Sequence, residues 1–175
     1  EWGKNSMILF HGTNENFPQI DLSKCKPYKD FGRGFYLTTI SEQAQRMALR
    51  TARMYGGKPC VLKYSIDDSI FSSSNLCIKS FDNPNEQWAR FVITNRNYHK
   101  IQNPQEDNNF DNRYDIVFGP IANDDLALLF RQFADGLLSI ETLVNEMKYK
   151  KLTNQYSFHT EKAISLLKKV GADYV

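Results

Sequence analysis

Phe31-Gly32-Arg33-Gly34-Phe35-Tyr36-Leu37-Thr38 is the stretch on which the reading of this chain turns. A cation set between two glycines is poor core material, so Phe31 to Gly34 reads as the close of a loop and Phe35 to Thr38 as the strand it feeds. Immediately after it, Thr39 stands three residues before Glu42, the spacing of a capping box. Ala44, Met47, Ala48, Thr51 and Ala52 then share one face of a helix running to Met54 and ended by Gly56-Gly57. Ahead of it, the apolar run Met7 to Phe10 reads as a buried strand that stops at His11-Gly12-Thr13. Asn14 to Gly32 reads as a loop, given a basic cast by Lys24, Lys26 and Lys29 together with Arg33 just beyond it.

Working towards the C-terminus, Cys60 to Ser65 reads as a third strand, and Pro84 introduces a helix from about Asn85 to Asn95 with Trp88, Phe91 and Val92 inward. Gln102 to Arg113, rich in Asn, Asp and Pro, is expected to be a flexible loop. Tyr114 to Phe118 reads as a strand stopped by Gly119-Pro120. Asn123 is placed to cap a helix with Asp124 and Asp125 in its first turn, and Ser139 to Lys150 is a further amphipathic helix. Gln155 to His159 reads as the last strand, and Thr160 as the cap of a final helix carrying Ile164, Leu167 and Val170. Strands and helices mix without strict βαβ alternation, and no strand-helix junction carries GxGxxG or GxxxxGK[ST]. The expected class is α+β.

At 175 residues the chain suffices for one domain, expected over residues 7–175, with residues 1–6 an extension, native or left from cloning. Its 22 basic and 20 acidic residues leave a net charge of +2, too balanced for a general nucleic-acid binder, so nucleic acid enters only as a substrate. No apolar run approaches the ~20 residues that cross a bilayer and no leader pattern opens the chain, so no membrane partner and a cytoplasmic location are expected. Cys25, Cys60 and Cys77 are odd in number, far apart and without a CxxC pair, and the three histidines lack metal-ligand spacing. Free thiols and no metal site are expected.

Three polar patches border strands: His11 to Thr13 (HGT), Phe31 to Thr38 (FGRGFYLT) and Asn154 to His159 (NQYSFH). In order and character they resemble the signatures of the poly-ADP-ribose polymerase and diphtheria-toxin branch of the ADP-ribosyltransferases, HGS/T, FGKGIYFA and NEYIVY. They are also similar to those of a compact bacterial subfamily of that superfamily. The resemblance spans nearly the whole chain and implies a split β-sandwich with flanking helices and NAD as co-substrate. It implies that His11 holds a ribose hydroxyl, that the Gly12 backbone holds the nicotinamide carboxamide, and that Tyr36 stacks on the nicotinamide ring. Thr13 and Gly34 would line the NAD site, and Lys29 and Arg33, in the place of the family's donor loop, would meet the pyrophosphate. The residue types suit the reaction. Nicotinamide departs neutral from an oxocarbenium-like transition state, so the site must orient two rings and support positive charge on the ribose rather than supply a strong acid.

At the third signature this sequence departs from the pattern, because the family's catalytic Glu falls on Gln155, between a matching Asn154 and Tyr156. An amide orients a hydroxyl but carries no charge, so polymer synthesis is not expected. Glu161 ranks behind Gln155, from which a continued strand would set it about 20 Å away. Gln43 and Arg46 fall where the polymerases carry a carboxamide-binding Ser and a second stacking Tyr. The leading expectation is mono-ADP-ribosyl transfer to an unknown macromolecular acceptor, as an intracellular toxin or effector with an antitoxin or immunity protein as partner. An NAD glycohydrolase and a catalytically silent NAD-binding or interaction module are the alternatives.

Overall fold

The computed structural model describes residues 5–73 and 75–175. Of the expected extension, residues 1–4 lie outside the described residues, whereas Asn5 and Ser6 belong to the fold: the Asn5 carbonyl accepts from Asp68 N–H at 2.7 Å, and Ser6 opens the first strand. In chain order the elements are β1 (Ser6–Thr13), β2 (Phe35–Leu37), α1 (Ser41–Tyr55), β3 (Cys60–Asp67), β4 (Ile78–Ser80) and α2 (Glu86–Arg96). They continue with β5 (Ile116–Ile121), α3 (Asp124–Ala134), α4 (Ile140–Met147), β6 (Thr153–Phe158), α5 (Glu161–Ile164) and β7 (Lys168–Tyr174).

Among the described residues these strands form two sheets, ordered β1-β3-β7 and β2-β6-β5-β4, with β4–β5 the parallel pair. The class is therefore α+β. Leu9, Leu62, Tyr64 and Ile66 of the first sheet and Phe35, Leu37, Ile116 and Phe158 of the second form one buried layer between them. The far face of the second sheet packs on α2, α3 and α4 through Phe31, Trp88, Phe91, Val117, Phe130 and Leu143. On the far face of the first sheet, Ala44 and Ala48 seat α1 against Phe10 and Val61. Two small residues four apart let that helix come close to β1.

The second and third expected helices hold, with Asn85 and Asn123 accepting from the N–H of Trp88 and Leu126, and Ser139 caps α4 in the same way. Thr39 does not cap α1. That helix begins at Ser41 behind Ile40, and Thr38 instead accepts the Ile40 N–H and donates to Gln43 Oε1 at 2.6 Å. Gly119-Pro120 does not stop β5. Beyond Phe118 its outer edge has run past β4, so Pro120 has no ladder bond to lose there, and its carbonyl accepts the Trp88 indole N–H at 2.8 Å.

Two larger corrections concern the second half of the chain. The final helix is four residues long, and the stretch expected to continue it is β7, paired antiparallel with β3. Val170 and Ala172 satisfy strand alternation as well as Val170 satisfies helix spacing, and the pairing with β3, distant in sequence, decides between them. The loop from Gln102 to Arg113 is pinned rather than slack. Asn109 is fully buried: its N–H donates to Asn95 Oδ1 at 2.8 Å, its amide to the Phe31 carbonyl at 3.1 Å, and its Oδ1 accepts from Tyr114 N–H at 2.9 Å. Cys25, Cys60 and Cys77 are free thiols.

Candidate functional site

Besides the packing of their side chains, the two sheets are joined among the described residues by one backbone bridge, Phe10 with Thr38, whose paired N–H···O=C bonds measure 2.7 and 2.9 Å. Phe10 thus turns its backbone polar groups towards β2 rather than β3, and by the two-residue alternation of an antiparallel ladder Gly12 does the same. A continued ladder would pair Gly12 with Tyr36. Instead the His11 imidazole takes the acceptor: its Nδ1 lies 2.7 Å from the Tyr36 carbonyl oxygen, so the pairing of β1 with β2 goes no further than the Phe10–Thr38 bridge, and Gly12, itself buried, turns its backbone polar groups to that side. A carbonyl only accepts, which fixes the proton on Nδ1 and leaves Nε2 as an acceptor with no protein hydrogen bond among the described residues. Burial lowers the His11 pKa from 6.5 to about 4, opposed by the bond to Tyr36 and aided by the Lys29 charge, so the ring is neutral at pH 7. It stacks on Phe35 at 4.0 Å, with Phe17 6.2 Å away on a tilted plane.

Tyr36 lies opposite Ser157 in the β2–β6 register and Gly119 lies opposite Gln155 on β5. Side chains alternate along a strand, so Gln155 shares the Tyr36 face one pleat along, a diagonal neighbour at about 7–8 Å. Gln155 is half-buried. Beside it, Gln43 bridges the ends of β2 and β6, accepting from Thr38 and donating to Thr153 Oγ1. Gln43 is therefore committed to bracing the strands, and Arg46 is exposed on α1. Glu161 is the exposed first residue of α5, past the end of β6.

The Tyr36 hydroxyl closes the FGRG turn onto its own ring, accepting from Phe31 N–H at 2.9 Å and donating to the Gly32 carbonyl at 2.7 Å. The Lys29 ammonium stands 5.7 Å from the centre of that ring, within cation–π range. Surrounding protein atoms lower the Lys29 pKa, Asp30 opposes the shift, and the charges of Lys26, Arg96 and Arg50 add to it. Arg33 points the other way. Its guanidinium donates to the carbonyls of Cys25 and Ser23, tying the turn to the preceding loop. Thr13 is buried in β1, paired with Cys60.

Two residues outside the expected set hold the turn in place. Asp30 is buried, with one carboxylate oxygen 3.1 Å from Arg96 and the other accepting from Ala122 N–H at 2.7 Å. His159 is 2% exposed, its Nδ1 2.8 Å from the Arg33 carbonyl and its Nε2 2.7 Å from Ser157 Oγ. A side chain at Gly34 would put its Cβ 2.5 Å from that ring, which is why this position stays bare. The only hint in the sequence is that His159 closes the third patch. Gly12 is bare for a related reason. A Cβ there would lie 2.0 Å from the Ala44 carbonyl oxygen of α1, so its missing side chain makes room for the helix.

Burial lowers the His159 pKa from 6.5 to about 4, against the Arg33 carbonyl and the Asp115 charge. A depressed folded-state pKa contributes stability that is complete above the unfolded value and is lost as pH falls through the folded one. Stability should therefore drop by about 3 kcal/mol from this group as pH falls from 6.5 to 4. Urea unfolding across that window measures it. A slope as steep in His159→Gln as in the parent would contradict the assignment.

A cavity of about 320 Å³ on the α1 side of the first sheet is lined by Phe10, Gln45, Val61, Lys63 and Tyr174, and none of the candidate residues borders it. No helix among the described residues is long and apolar enough to cross a membrane. Neither the curated proteins nor the solved structures gave a match. The comparison with family models did: a model described as "Protein of unknown function (DUF3990)" matches residues 7–169, from the first strand through the candidate site and into β7, and the chain belongs to that family.

Proposed function

We propose that the chain binds NAD where β1 and β2 part and transfers ADP-ribose to an acceptor, with the architecture of an ADP-ribosyltransferase-like split β-sandwich. The observation that carries the reading is the neutral His11 imidazole, locked by Nδ1 onto the Tyr36 carbonyl with Nε2 left to accept from a ribose hydroxyl. The Gly12 N–H and C=O, turned by alternation to the same side, suit a carboxamide, which needs one acceptor and one donor. Tyr36 already holds a cation near its ring, so its face suits a pyridinium once Lys29 turns away to the pyrophosphate.

In the reaction the bond from ribose C1′ to the nicotinamide nitrogen breaks with its electron pair passing to the ring, which leaves uncharged. The acceptor's nucleophile forms the new bond to C1′ and releases its proton to water. Gln155, on the Tyr36 face, orients the nicotinamide ribose without lending it charge, which suits single transfer rather than chain growth. Incubation with NAD labelled in the adenosine half, followed by separation of macromolecule-bound label from free ADP-ribose, tests the proposal. Label on a macromolecule is expected. Free ADP-ribose alone would make the chain a glycohydrolase, and intact NAD after prolonged incubation would make it a silent binder or an interaction module.

A further inference from the structure

Four aromatic rings gather on the surface one residue away from Lys29. Tyr98 and Phe110 stack face to face at 3.9 Å and 7°, Tyr28 lies over Phe110 at 5.7 Å and 24°, and His99 meets Tyr28 at 4.4 Å. They belong to none of the hydrophobic clusters of the core, and Tyr28 and Phe110 remain 38% and 37% exposed. Tyr28 also takes a left-handed backbone, φ 61°. A bulky residue there is strained, and such strain persists only where the surrounding structure enforces it. The rings stand on fixed backbone, since Phe110 follows the buried Asn109 and His99 sits in the 3-10 turn after α2.

Two cations flank the platform. Lys29 and Lys100, next in sequence to Tyr28 and His99, form no ion pair with a carboxylate among the described residues, whereas Glu106, Asp107 and Asp111 of the neighbouring loop are paired with Arg90 or Arg113. Stacked, exposed rings edged by unpaired cations make the surface that unstacked bases and a phosphate backbone recognise, and a duplex, its bases hidden, cannot use it.

We infer that the Tyr28–Tyr98–His99–Phe110 platform binds single-stranded nucleic acid, and, resting on the NAD reading above, that this strand is the ADP-ribose acceptor. Lys29 links the two places, its ammonium 5.7 Å from the Tyr36 ring and its backbone joined to Tyr28.

The test is fluorescence anisotropy without NAD, using fluorescein-labelled 12-nucleotide single strands of DNA and of RNA and a DNA duplex of the same sequence. Both single strands or either one should bind at least about tenfold more tightly than the duplex, with affinity falling as salt rises. Tyr28→Gly removes the ring while relieving the left-handed backbone, so it should weaken strand binding about tenfold without lowering the melting temperature, and Tyr28→Phe should bind as the parent does. Equal binding of duplex and strand overturns the proposal, as does parental affinity in both Tyr28→Gly and Phe110→Ala. Ring-dependent capture of a labelled polyglutamate peptide in place of the strands would assign the surface to an acidic protein instead. Because NAD is left out, failure here leaves the NAD reading intact, and failure of NAD to bind leaves strand binding measurable.

Discussion

Gln155→Glu is expected to raise the rate of nicotinamide release from NAD by about 30- to 1000-fold, with little change in NAD affinity. The side chain keeps its shape and its place on β6, diagonal to Tyr36, and gains a full negative charge. That charge acts on the cation that develops at the ribose and barely on the uncharged ground-state sugar, and groups of this kind in water-excluded sites contribute about 2–4 kcal/mol. Glu161→Gln is the matched control. Glu161 sits exposed at the start of α5 beyond the end of the strand, so its loss should leave turnover unchanged. An indifferent Gln155→Glu together with a dead Glu161→Gln would transfer the third catalytic position to Glu161.

Gly12→Ala should destabilise the fold by about 3 kcal/mol or more, at the upper end of what overpacking costs. The added carbon would stand 2.0 Å from the Ala44 carbonyl oxygen and 2.8 Å from the Ala48 nitrogen. Both are backbone atoms of α1 and neither rotates away, so the helix must lift from β1 and loosen its contacts with Phe10 and Val61. Chemical denaturation reads this directly. A variant with the parent's midpoint and slope would mean that α1 does not sit against β1 as described.

These two positions show what the sequence made legible. The strands around His11, Tyr36 and Gln155 were readable from short polar patches next to apolar runs, and the structure sets Gln155 on the Tyr36 face and His11 on the Tyr36 carbonyl. The reason for Gly12 was not readable, because the atom that excludes its side chain lies on a helix more than thirty residues away. The same holds for Asp30, whose partners Arg96 and Ala122 are brought to it only by the fold. The family resemblance put Arg33 at the pyrophosphate, yet its nearest acceptors are carbonyls of its own loop. β7 was misread for a similar cause: a strand assembled by pairing with distant β3 leaves little local signature, and its spacing satisfied two periods.

The most direct test of the account is a calorimetric titration of NAD into the parent protein and into His11→Ala. Saturable one-to-one binding to the parent is predicted. In His11→Ala it should weaken by tenfold or more, since Nε2 no longer meets the ribose hydroxyl, while the variant still unfolds cooperatively. No heat at millimolar NAD with a folded parent, or parental affinity in folded His11→Ala, would contradict the central claim that the parting of β1 and β2 is an NAD site.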